Sequence, residues 1–313
     1  MNSALSLAVG QYRFEFIAAD KLLLPAYTGS SWRGIFGHSL KRSVCVTREK
    51  HCPKCLLWRN CAYSYLFETP PAVDAKMMKK YSAVPHPYII QPNPTQSREI
   101  EKGETIWIDI HLIGKANQQL PYFVHAFQQA GQRGIGAQRG KFSLEKISQI
   151  QAHQSNEIFN SKQNILNNIE VKPIVTAPLP EQNITLQFIT PYRIRSQNRY
   201  ITPEQFSFYH LISPLLRRIS SLHYFHAEQE LPLDYAQLSQ QAKTISPVQQ
   251  QLNWQEWTRY SSRQQSKIRM GGLVGSIELA PTEIREFWPL LYLGQYINVG
   301  KGTVMGLGKY TLK

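Results

Sequence analysis

Apolar residues along this chain keep two rhythms in turn. In YRFEFIAAD (12–20), Tyr12, Phe14 and Phe16 alternate with Arg13 and Glu15, the period-two pattern of a strand with one buried face. From Ser30, which can cap a helix, Trp32, Ile35, Phe36, Leu40 and Val44 fall at helical spacing. ETIWIDIHLIG (104–114) alternates again and leads into the apolar helix LPYFVHAFQQAG (120–131). The second half repeats the scheme. ITLQFITPYRI (184–194) reads as a strand, and PEQFSFYHLISPLLRRISSLHYF (203–225) as a helix with Phe206, Leu211, Leu215, Ile219 and Leu222 on one face. GGLVGSIELA (271–280) and TEIREFWPLLYLG (282–294) follow as strand and helix. Two β-α-β-β-α-β units result, an α+β fold of two tandem ferredoxin-like or RRM-like domains.

The polar, proline-dotted stretch between them suits a linker, giving domains at 1–150 and 183–313 joined by 151–182. Each half closes with a glycine loop. GIGAQRGKF (134–142) and GKGTVMGLGKY (300–310) share G-x-G-x-x-x-G, with Gly134, Gly136 and Gly140 matching Gly300, Gly302 and Gly306. A phosphate-binding P-loop is not expected, because Tyr310 stands where Ser or Thr is needed and only three residues remain after it. A dinucleotide fingerprint fails too, since Met305 takes the place of its third glycine. With Gly308 added and Arg133, Arg139, Lys141, Lys301 and Lys309 interleaved, the loops read as backbone surfaces that touch phosphate or ribose.

Charge narrows the partner. Lys and Arg number 35 against 21 acids among 313 residues, a net charge of +14 that points to a polyanion such as nucleic acid. Only four Asp occur (Asp20, Asp74, Asp109, Asp234), far apart, so a carboxylate cage for two Mg²⁺ is hard to assemble and phosphoryl chemistry here should not need a metal. The N-terminus has no cationic leader and no run is long and apolar enough for a membrane, which predicts a cytoplasmic protein without a membrane partner.

Cys45, Cys52, Cys55 and Cys61 lie in C-x6-C-x2-C-x5-C spacing, within an insertion of about 45–85. Reducing conditions disfavour two disulfides, and the C-P-K-C turn brings two thiolates toward one ion. A structural, non-catalytic Zn²⁺ is expected, with a 4Fe-4S cluster as the alternative.

GKGTVMGLGKY, RYSSRQQSKIRMGGLVGSIEL (259–279) and LPAYTGSSWRGIFGHSLKR (24–42), followed by the cysteine cluster, resemble the CRISPR repeat-processing endoribonucleases of the RAMP superfamily. The resemblance implies binding of CRISPR repeat RNA within precursor crRNA, association with other CRISPR-associated proteins, and metal-free attack of a ribose 2′-hydroxyl on the adjacent phosphate. Products would carry 2′,3′-cyclic phosphate and 5′-hydroxyl ends. It also implies a general acid or base histidine in or just before the first helix, which selects His38 among nine histidines, with Tyr27 and Lys41 beside it. His86, His51 and His153 are the reserves. RNA-binding candidates are Arg33, Arg42, Arg193, Arg195, Arg263 and Lys267 together with the loop residues, and Tyr192 and Tyr200 offer stacking faces. Two other readings stay open: a non-catalytic RNA-binding subunit of a CRISPR effector complex, and a zinc-stabilised RNA-binding module unrelated to CRISPR.

Overall fold

A computed structural model describes residues 5–78, 81, 83–151, 154–167, 170–261 and 266–313. The chain divides into two bodies: 8–172 with 225–227, and 1–7 with 173–224 and 228–313.

In the N-terminal body the chain runs β1 (Val9–Ala18), α1 (Gly29–Val44), β2 (Tyr88–Pro92), β3 (Thr105–Ile113), α2 (Leu120–Arg133), β4 (Phe142–Gln151), β5 (Gln154–Asn160) and β6 (Ile165–Leu166). The sheet order is β2-β3-β1-β4-β5-β6, and every neighbouring pair is antiparallel. Its first four strands have the ferredoxin-like order. Alternation along β1 buries Tyr12, Phe14 and Phe16. Trp32 stacks on Phe16 at 5.1 Å and Phe36 on Phe123 at 4.3 Å, so α1 and α2 cover that face. The other face is polar: Arg13 makes a two-pronged ion pair with Asp109 across β1 and β3 (2.9 and 3.1 Å).

Here the expected linker needs correcting. Residues 154–160, read as linker, form β5 and pair with β4 from Lys146 to Gln151. Four of the seven β5 residues are exposed on an outer strand, so its hydrophobic signal is too thin to betray it.

The C-terminal body runs β7 (Ile184–Tyr192), β8 (Arg195–Ser196), β9 (Arg199–Tyr200), α3 (Phe208–His226), α4 (Tyr235–Gln241), β10 (Gln249–Gln255), β11 (Thr258–Ser261), β12 (Ser266–Arg269), β13 (Gly272–Leu279), α5 (Trp288–Ile297) and β14 (Tyr310–Leu312). Its four-stranded sheet, β10-β13-β7-β14, repeats the first body's core order and is antiparallel throughout. Phe188 stacks on Tyr192 at 4.9 Å, and the Tyr310 hydroxyl donates to the Leu291 carbonyl at 2.7 Å, fixing the last strand to α5. Among the described residues no helix is long and apolar enough to cross a membrane.

Candidate functional site

Helix α1 sorts its residues by face. Trp32, Phe36 and Leu40 are buried, whereas His38 and Arg42, one turn apart, are exposed. Arg133, the last residue of α2, donates to the Ser39 hydroxyl at 3.3 Å. The end of α2 and the start of the first glycine loop are thereby held against α1. Arg139 and Lys141 on that loop are exposed, and Lys141 N–H donates to Asp20 (3.0 Å). An imidazole and Arg42 thus share one exposed stripe of α1, and Arg133 is bonded to the residue next to His38 in sequence. Such a set can move a proton and balance charge on a phosphate without a metal.

Three other expected residues turn inward or away. Lys41 turns away from His38: its ammonium contacts the Lys50 carbonyl (3.5 Å), sits 5.3 Å from the Tyr63 ring and lies close to the Cys52 thiol. Pairing it with His38 is therefore a correction: the i, i+3 spacing puts the two on neighbouring positions of the helix, but the Lys41 side chain is drawn toward the insertion. Arg33 lies over the Phe67 ring at 4.1 Å, committed to packing rather than to RNA. Tyr27 precedes α1, whose first residue, Gly29, stands about 14 Å along the axis from His38 at 1.5 Å rise per residue. Burial pushes its hydroxyl well above the ordinary tyrosine range, which makes it a poor base.

Gly37 explains the insertion's seat. A Cβ there would stand within 2.3 Å of the Phe67 ring, so only glycine lets the π-helical turn Ser64–Glu68 lie against α1. Below it, Cys45, Cys52, Cys55 and Cys61 all line one small pocket with Leu57, Trp58 and Tyr63, and none is in a disulfide. The donor set suits a thiophilic metal, yet among the described residues no three ligands are gathered at metal-holding geometry. Thr47 Oγ1 instead contacts Cys55 Sγ at 3.2 Å.

The second glycine loop is largely occupied by its own protein. The N–H groups of Lys301 and Gly308 donate to the Arg193 and Pro191 carbonyls (2.9 and 3.1 Å), and Gly306 N–H donates to Thr303. Thr190 Oγ1 donates to the Gly306 carbonyl at 2.7 Å and accepts from Lys309 N–H at 2.9 Å. Gly308 has φ +69°, and a Cβ on it would stand 1.8 Å from the Val299 carbonyl oxygen. Gly300, Gly302 and Gly306 also have positive φ. These glycines shape a turn against β7, and of the loop's cations Lys301 is the exposed one.

Arg193 is a further correction. Only 6% exposed, it donates to the Gly271 carbonyl (2.9 Å), the Arg269 carbonyl (3.1 Å) and the Tyr200 hydroxyl (2.7 Å), which leaves little for RNA. Tyr192, expected as a stacking face, is core. Arg195 remains exposed. Arg263 lies outside the described residues, as do the side chain of Lys267 and His153. The signal that sequence reading missed is Trp254, an exposed aromatic on β10.

Comparison with known proteins follows the same division. Residues 7–171 match a family of N-terminal domains, and residues 186–310 match the CRISPR-associated endoribonuclease Cas6. The C-terminal part of the chain therefore carries a Cas6-type domain. An uncharacterized protein of Archaeoglobus fulgidus is 22% identical over 295 residues, covering 93% of both chains. Among solved structures, a Cas6 product complex aligns over 98% of this chain and 99% of its own with a TM-score of 0.57 and 16% identity. Thermus thermophilus Cas6 aligns over the same shares at 0.54 and 14%. A Cas6-RT-Cas1–Cas2 complex matches over 98% of this chain and 29% of that chain, at 0.55 and 15%. At these identities the structural matches carry the fold, and the family match places the chain among CRISPR repeat-processing proteins.

Proposed function

We propose that this protein, with its Cas6-type C-terminal domain, binds a CRISPR repeat RNA within precursor crRNA and cuts it without a catalytic metal. The cut proceeds by 2′-hydroxyl attack on the adjacent phosphate, giving a 2′,3′-cyclic phosphate and a 5′-hydroxyl. In balance, the 2′-oxygen loses its proton and bonds to phosphorus while the P–O5′ bond breaks and the 5′-oxygen gains a proton. His38 moves one of these protons. Arg42 and Arg133, in place of Lys41, offset charge on the phosphorane. The observation that carries this reading is an exposed His38 on a helix whose opposite face is core, one turn from Arg42 and beside the residue that anchors Arg133.

Purified protein incubated with labelled repeat RNA in EDTA should cut once, and a 2′-deoxy nucleotide at the scissile position should abolish the cut. Tight binding of repeat RNA without any cleavage would overturn the nuclease reading in favour of an RNA-binding subunit of an effector complex. We also propose that the four thiols hold a structural metal, Zn²⁺ or a 4Fe-4S cluster, which braces the insertion and takes no part in the reaction. Near one zinc per chain in colourless protein supports zinc; brown protein absorbing near 400 nm supports the cluster, and metal-free folded protein rejects both.

A further inference from the structure

The C-terminal body holds an aromatic and cationic cluster that the proposed reaction leaves unused. β8 and β9 form a hairpin in which Arg195 faces Tyr200. The Arg195 guanidinium lies 4.4 Å from the Tyr200 ring centre and that of Arg193 lies 4.8 Å from it. With its hydroxyl also held by Arg193, Tyr200 is fixed and its ring already in use.

Trp254 stands beside it, at a ring-centre distance of 6.1 Å, with 38% of its surface exposed near the end of β10. Its Nε1 donates to Glu256 Oε2 at 3.1 Å, so the indole is held in one orientation. A Cβ at Gly271 would come within 2.8 Å of that nitrogen, and the glycine leaves the indole its room. A large apolar ring kept partly in water, fixed by a hydrogen bond and bordered by an exposed arginine, matches what an unpaired base needs: a flat face to stack on and a cation for its phosphate. The excess of basic residues favours a polyanion over an apolar protein partner.

We propose that Trp254 is a stacking platform for an unpaired nucleobase of single-stranded RNA, with Arg195 supplying the cation for the adjoining phosphate. This rests on the RNA-binding part of the reading above and is independent of cleavage.

Affinities of wild type, Trp254→Ala, Trp254→Phe and Arg195→Ala for labelled single-stranded repeat RNA and for oligouridylate dodecamers, each at two salt concentrations, test it. Loss of one base stack weakens binding by about 5- to 150-fold, and Trp254→Ala should fall in that range with an unchanged salt slope. Trp254→Phe should keep most of the affinity, because a π-face remains. Arg195→Ala should lower the salt slope by about one unit, the mark of a lost phosphate contact. A folded Trp254→Ala that binds both RNAs like wild type would overturn the proposal, as would Trp254→Phe being as weak as Trp254→Ala. Wild type that binds RNA through Trp254 but never cuts sinks the nuclease reading alone. Cutting by wild type with a silent Trp254→Ala sinks the platform alone.

Discussion

The first helices of the two bodies occupy the same place in the same topology, and their polar residues have opposite fates. On α1 the polar stripe faces water and carries His38 and Arg42. On α3, Leu211, Leu215, Ile219 and Leu222 are buried, and so are Arg218 and His223. Arg218 Nε donates to the Ile297 carbonyl at 2.8 Å, satisfying the last turn of α5, and burial drives its pKa down to about 9. His223 bonds the Ile219 carbonyl through Nδ1 at 2.9 Å, and burial lowers its pKa as well. Of these two first helices, only α1 carries a fully exposed histidine. The proposed chemistry follows exposure, since an imidazole enclosed by core cannot reach a ribose.

Breaking the comparison at its strongest point means removing His38. His38→Ala should slow cleavage by about 10²- to 10⁴-fold with RNA affinity within a few-fold of wild type, as single-turnover kinetics would reveal. Unchanged kinetics would move attention to His86 and His51. The counterpart test is His223→Gln, which should leave the rate at saturating RNA intact. Next in size is the second glycine loop. Gly308→Val places a β-branched residue at positive φ against the Val299 carbonyl and should cost about 2–5 kcal/mol in denaturant unfolding. A wild-type midpoint would return the loop to RNA contact.

A smaller effect comes from acid. His210 and His223 both have lowered pKa values in the folded chain, so between those values and about 6.5 the unfolded chain binds more protons than the folded one. Stability should be level above pH 6.5 and decline as pH falls below it, and His223→Gln should flatten that slope in paired denaturation curves. Smallest is Lys41→Ala. Because Lys41 points at the cysteines, cleavage should stay within about three-fold of wild type, far from the loss that removal of an acid or base produces. A hundred-fold loss would restore it to the site.

What could be read from sequence was whatever repeats with a period. Tyr12, Phe14 and Phe16 announced β1, and the doubled strand, helix and glycine order announced both sheets, because burial of one face imposes alternation. β5 was illegible for the converse reason, being mostly exposed. For the site, the stripe carrying His38 and Arg42 followed from helical geometry, while Lys41 was misplaced by proximity in sequence. Arg193 was invisible as a core residue because two of its four partners are carbonyls, which every sequence has at every position. Trp254 lay in the polar run QQQLNWQ, where a lone aromatic has no periodic company to mark it.

β7 occupies the inside of its sheet, yet its partners arrive late. Leu186 pairs with Ile277, and Phe188 with Tyr310, so the two flanking strands follow it by roughly 90 and 120 residues. At about 5–20 residues per second on the ribosome, this apolar strand waits several seconds or longer with both edges bare. The first body can close its four core strands meanwhile, because they all lie upstream of β7. Slowing initiation or lowering temperature during expression should therefore favour soluble protein chiefly by sparing the C-terminal body, whose nascent β7 is the segment that neighbouring chains can capture.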